Sequence, residues 1–163
     1  SDKATLNYLL SRSGAEFLEG GNPRRQPQMP EGLPFWKPPY SRMTAVDMNT
    51  GDHVWMKPTG NGDRIRNHPR LRHLDLPPLG GDAGRNGPVV TETLLIYTLS
   101  AGGSGGGPRL VAYDKATGEL RGSVDLPAGA IGSPMTYMLE GRQYLGVTIG
   151  GDSPSLVALR LPL

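Results

Sequence analysis

MTAVDMNTGDHVW, Met43 to Trp55, and LVAYDKATGELRG, Leu110 to Gly122, are one phrase written twice, 67 residues apart. In register they share Ala45/Ala112, Asp47/Asp114, Thr50/Thr117 and Gly51/Gly118. Each copy runs as an alternating strand into a tight turn. An Asp at the strand's end can accept turn N–H bonds. The Thr-Gly pair then reverses the chain, with glycine free to take the left-handed conformation. The small Ala lets a neighbouring sheet approach, and Trp55 is placed to dock flat between two sheets. In the second copy Gly122 stands where Trp55 would be, so that docking is lost there. A hairpin that recurs with its turn chemistry intact points to repeated four-stranded units, the blades of a β-propeller. Two unrelated hairpins would leave the four-position alignment to coincidence.

Composition agrees. Glycine (24) and proline (16) supply about a quarter of the 163 residues. They punctuate short Val/Leu/Ile/Tyr/Thr runs instead of forming one tract, the pattern of many strands joined by turns. The formal charge of +2 gives no global field for polyanions. TLLIYTL, Thr93 to Leu99, is the longest strongly apolar run and far too short for a transmembrane helix. Residues 1–10 show no basic-then-apolar leader. With no cysteine there is no disulfide and no thiolate metal site.

Along the chain, residues 1–31 stand apart. Leu6, Leu9, Leu10 and Phe17 sit near helical spacing, which predicts a short amphipathic helix over Thr5 to Leu18. Gly20 to Pro30 holds three prolines and reads as a linker. The remainder, 32–163, predicts nine strands: 43–47, 54–57, 87–91, 94–100, 109–114, 119–125, 133–139, 143–149 and 155–161. Glu140 to Arg142 is a hairpin turn, and residues 60–85 form a polar, Pro-rich excursion with little strand character.

Four stretches, GLPFWKPPYSRMTAVDMNTGDHVW, GPVVTETLLIY, RLVAYDKATGEL and SPMTYMLEGRQYLGVTIGG, resemble in order the C-terminal blades of pyrroloquinoline-quinone-dependent dehydrogenases. Within that family the resemblance is to the membrane-associated glucose, quinate and shikimate type. Its most specific part is Pro134-Met135-Thr136-Tyr137, Gly141, Gln143-Tyr144 and Gly150-Gly151. The resemblance implies an all-β chain forming a partial β-propeller. It would hold about two to two-and-a-half four-stranded antiparallel blades of an eight-bladed ring. The strands would make the outer half of one blade, one complete blade and three strands of another. On this reading the chain is a fragment whose partners are the remaining blades of its own propeller, or other copies of itself.

The resemblance also implies pyrroloquinoline quinone as cofactor, with calcium whose ligands are expected outside this chain. No catalytic residue and no metal ligand is assigned here, because the family's catalytic Asp and calcium site lie upstream. What this stretch offers is one wall of the cofactor pocket. The turn KPPYSR enters an inner strand where relatives keep an aromatic, so Tyr40 takes that position, with Lys37 and Arg42 close enough in sequence to meet a carboxylate. Asn86-Gly87-Pro88 stands where relatives carry Gly-Gly-Pro. Gly87 lets the backbone approach a ligand, while Asn86 departs from the pattern. The implied activity is oxidation of a sugar or alcohol, with electrons passed to a quinone or cytochrome. The implied compartment is the periplasm, with membrane association through a part not in this stretch. A non-catalytic propeller of the same repeat type is the alternative.

Other motifs are weaker. GGSGGG, Gly102 to Gly107, is followed by Pro108 and a strand, so it reads as a hairpin loop and not a phosphate loop. His68 and His73 lack a third ligand. RIRNHPRLRH, Arg64 to His73, is basic, but without interleaved aromatics it does not read as a nucleic-acid surface.

Overall fold

The computed structural model describes residues 29–82 and 86–160. The chain divides into two compact units, Ser1–Lys37 and Pro38–Leu163. In the first, the described residues are 29–37. They contain a 3-10 turn, Pro30–Gly32, and an edge-to-face pair of Phe35 and Trp36 with centroids 5.3 Å apart. Trp36 is 63% exposed. The helix expected over 5–18 and most of the 20–30 linker lie outside the described residues.

Among its described residues the second unit is built of nine antiparallel strands. They are β1 (Arg42–Val46), β2 (His53–Pro58), β3 (Val89–Val90), β4 (Leu94–Leu99), β5 (Arg109–Asp114), β6 (Leu120–Asp125), β7 (Met135–Leu139), β8 (Arg142–Ile149) and β9 (Ser155–Arg160). Among the described residues they form three sheets, ordered β1-β2, β3-β4-β5-β6 and β7-β8-β9. Each expected strand is present, and most differ from expectation by one or two residues at their ends. The division into half a blade, a full blade and three strands is the one the resemblance implied. The short helix α1, Asp63–Arg66, inside the 60–85 excursion was not expected. Four residues carry no readable periodicity. Its signal is local, with Gly62 left-handed (φ 72°) just before it, Asp63 in its first turn and Arg66 in its last.

The sheets stack face to face. From the central sheet, Leu95, Tyr97, Leu99 and Val111 pack with Met43 and Trp55 of the first sheet. From its other face, Ile96 and Leu110 pack with Leu145, Val147 and Ile149 of the third. β4 is therefore covered on both sides, which is why LLIYTL is continuously apolar instead of alternating. Burying such aliphatic side chains is worth roughly 1.5–3 kcal/mol each.

The repeat is repeated in atoms. Asp47 Oδ1 accepts from Asn49 N–H (2.8 Å), and Asp114 Oδ1 from Ala116 and Thr117 N–H (2.9 and 3.0 Å). Thr50 and Thr117 each accept the N–H two residues on, at 3.2 Å. Gly51 and Gly118 have φ of 80° and 70°. A bulge follows Ala45 in one copy and Ala112 in the other. Ala45 pairs with Trp55 and Ala112 with Gly122, so the register sets Gly122 at the tryptophan's place. Trp55 docks against the central sheet as expected but is half-buried instead of buried, with its indole N–H donating to Lys115 O at 2.9 Å. Its ring lies over Gly118, where a Cβ would come within 2.8 Å of it. The first copy's tryptophan thus sits on the second copy's turn.

Candidate functional site

Because every pairing is antiparallel, the loops segregate. One end of the sheets carries the tight turns 47–52, 91–93, 115–118 and 140–141. The other end, here the loop rim, carries the start of β1, the 59–88 excursion and the loops 100–108, 126–134 and 150–154. Tyr40, Arg42, Asn86 and Gly87 all lie on the loop rim. Lys37 belongs to the first unit and is exposed there.

Tyr40 is partly buried, and its N–H donates to Leu79 O at 2.8 Å. Arg42 is exposed, and its guanidinium has no partner among the described residues. KPPYSR leads into β1, one of the two strands of the first sheet, and at the 67-residue offset β1 matches β5 of the central sheet. The same offset makes Arg109 the counterpart of Arg42. Arg109 Nε is buried without a hydrogen-bond partner, beside Gly102 on the same rim. It escaped notice in the sequence, although the offset was there to find it.

Asn86-Gly87-Pro88 leads directly into β3, the edge strand of the central sheet. The Asn86 amide donates to Thr98 Oγ1 on β4 and to Ala130 O in the loop before β7, both at 3.0 Å. Gly87 N–H donates to Ser133 Oγ at 2.9 Å, and a Cβ at Gly87 would meet that oxygen at 3.0 Å. These two residues fasten the central sheet to the third at the rim. With Thr98, Leu99, Ser100, Gly129 and Ala130, Asn86 lines a cavity of about 30 Å³, roughly one water's volume. At the opposite end a larger cleft, about 280 Å³, lies between Thr91, Thr93, Thr136 and Gln143.

The remaining rim groups are structural. GGSGGG closes the β4–β5 hairpin around Asp125. Hydrogen bonds from Ser104 hold that carboxyl below the usual carboxylate range, and the loop embraces an acid instead of a phosphate. Among the described residues no group of three or more His, Cys, Asp or Glu could hold a metal ion.

The chain is similar to known proteins along most of its length. A family described as "Glucose/ethanol/alcohol dehydrogenase, beta-propeller domain", of the PQQ type, matches residues 14–145. The glycerol dehydrogenase large subunit of Gluconobacter thailandicus is 34% identical over 146 residues, 79% of this chain and 19% of that protein. The quinate/shikimate dehydrogenase (quinone) of Acinetobacter baylyi is 31% identical over 130 residues, 76% of this chain and 15% of the other. The crystal structure of quinohemoprotein alcohol dehydrogenase from Comamonas testosteroni aligns with a TM-score of 0.48 at 25% identity, over 74% of this chain and 14% of that one. The chain spans about a fifth or less of the length of these proteins.

Proposed function

The chain belongs to the pyrroloquinoline-quinone dehydrogenase β-propeller family, and from that premise we propose that it supplies C-terminal blades of a quinoprotein oxidising a sugar, polyol or other alcohol. Electrons leave to a quinone or cytochrome, and the compartment is the periplasm. The observation that carries the reading is the gathering of the rim residues ahead of β3 and β1. Pyrroloquinoline quinone supplies a two-electron acceptor bearing three carboxylates.

Of the residues present, Arg42 fits that group best, as an exposed cation without an acid partner. Tyr40 offers a planar ring two residues away. Arg109 Nε adds an unused donor on the same rim. Asn86 and Gly87 fit differently. Their N–H groups are already engaged, so they hold the rim's shape and leave cofactor contact to their neighbours. The catalytic carboxylate and the calcium ligands belong, on this reading, to other blades.

Dye reduction by the 163-residue chain with cofactor, calcium and a panel of sugars, polyols and alcohols tests this. No turnover is expected, and enzyme-like rates would refute the assignment of the chemistry to other blades. Cofactor absorbance titrated with the chain tests the wall. Arg42→Gln should weaken any response about tenfold, the loss of one charge-assisted hydrogen bond. One observation favours a non-catalytic scaffold: the Asn86 and Gly87 donors are spent on joining sheets. That reading predicts no cofactor response even from the longer parent protein.

A further inference from the structure

The excursion between β2 and β3 is built more firmly than a solvated loop requires. Its two legs are stitched by Leu79 N–H to Asn61 O (2.9 Å), Gly80 N–H to Gly60 O (3.1 Å) and Asp82 N–H to Thr59 O (3.2 Å). Asp82, 6% exposed, accepts from Gly62 N–H at 2.9 Å, and Ser41 Oγ accepts from Gly81 N–H at 2.7 Å while pairing with the Thr59 hydroxyl. Gly60, Gly62 and Gly80 all have positive φ, and a Cβ on any of them would come within 2.2–2.5 Å of the opposing leg or of Ser41. Beyond this base, Ile65 is buried and the chain turns helically through α1 and on to Leu74.

The base therefore presents a fixed outer surface, and that surface is basic. Arg64 and Arg72 are exposed and Arg66 is partly so, and these cations outnumber the exposed Asp75 and the partly exposed Asp63. None of the three guanidiniums has a partner among the described residues. Leu74, 47% exposed, stands two residues after Arg72 in the same segment. A surface of cations with an aliphatic side chain and no aromatic anchor differs from a protein-binding hot spot, which is rich in Trp and Tyr. It suits a bilayer interface, where Arg meets lipid phosphates and an aliphatic group enters the acyl boundary.

We propose that residues 59–82 form a rigid finger that docks the protein on an anionic phospholipid surface. The finger stands independently of the dehydrogenase reading, because none of its residues is placed in the cofactor wall.

The test is sedimentation of the 163-residue chain with vesicles of phosphatidylcholine alone, or with about a third phosphatidylglycerol. Binding is expected only with the anionic lipid, and it should fall away near 1 M salt, where the Debye length shrinks to about 3 Å. R64Q/R66Q/R72Q should lower the partition coefficient about a hundredfold, some fivefold for each Arg. Leu74→Ser should lower it a few-fold without altering the salt dependence. Arg64, Arg72 and Leu74 are exposed and Arg66 is not buried, so urea midpoints followed by tryptophan fluorescence should match the parent's. Equal binding to neutral vesicles, absence of binding to either, or full binding by the triple variant would each overturn the proposal. Capture of poly-glutamate as strongly as vesicles, with Leu74→Ser indifferent, would overturn it in favour of an acidic protein partner.

Discussion

Gly118 is a glycine because Trp55 occupies the space its side chain would need. A Cβ there would stand 2.8 Å from the indole, and the residue's φ of 70° is itself costly for any other side chain. Gly118→Ala should therefore destabilise by about 2 kcal/mol or more, combining lost sheet contact with backbone strain. Trp55→Ala should cost about 2–3 kcal/mol, below the range for a fully buried tryptophan because the ring is half-exposed. Trp36→Ala should change little, since Trp36 is 63% exposed. Urea midpoints measure all three, and equal values for the two tryptophan variants would contradict the blade register. Asp114 gives a pH signature. Hydrogen bonds from Arg121 and then from Thr117 N–H lower its folded-state pKa. Its contribution is thus present above the unfolded carboxylate range near 3.9 and lost as pH falls through the folded value. Asp114→Asn should flatten the acid limb of the stability curve, read as the urea midpoint against pH. The Asp, Thr and Gly of the turn were legible in sequence because each acts within a few residues. The partners of Asn86 were not, since Ala130 lies 44 residues away.

Elements divide by the same rule. Strands announced themselves through alternation and turn residues, and β4 through a continuous apolar run. The base of the excursion did not, because its stitching joins Ser41, Thr59, Asp82 and three glycines spread over about forty residues. Gly60→Ala should open that base, since its Cβ would stand 2.2 Å from Asp82 Oδ2. Hydrogen exchange at Leu79 and Gly80 should then quicken markedly while β4 and β5 keep their protection. Uniform loss of protection would show that the finger and the sheets unfold as one. The rim seam is milder. Asn86→Ala removes two hydrogen bonds and should lower stability by about 1–3 kcal/mol, seen in thermal melts.

At the scale of the whole unit, stacking covers the central sheet on both faces and leaves each flanking sheet with an open one. On the first sheet Val54 and Met56 are 55% and 43% exposed, on the side away from Trp55. On the third, Met135 and Leu156 are 50% and 57% exposed, flanking Gly146 on the face opposite Val147. In a propeller such faces are where the next blades pack. Apolar sheet faces and unpaired strand edges left in water recruit other chains. The most direct test is the light-scattering mass of the purified 163-residue chain across concentration. A mass rising above the 17.4 kDa of a monomer, and reduced by Met135→Ser with Leu156→Ser, is the predicted result. A constant monomer mass at high concentration, with one cooperative unfolding transition, would contradict the assignment of these sheets to an incomplete ring of blades.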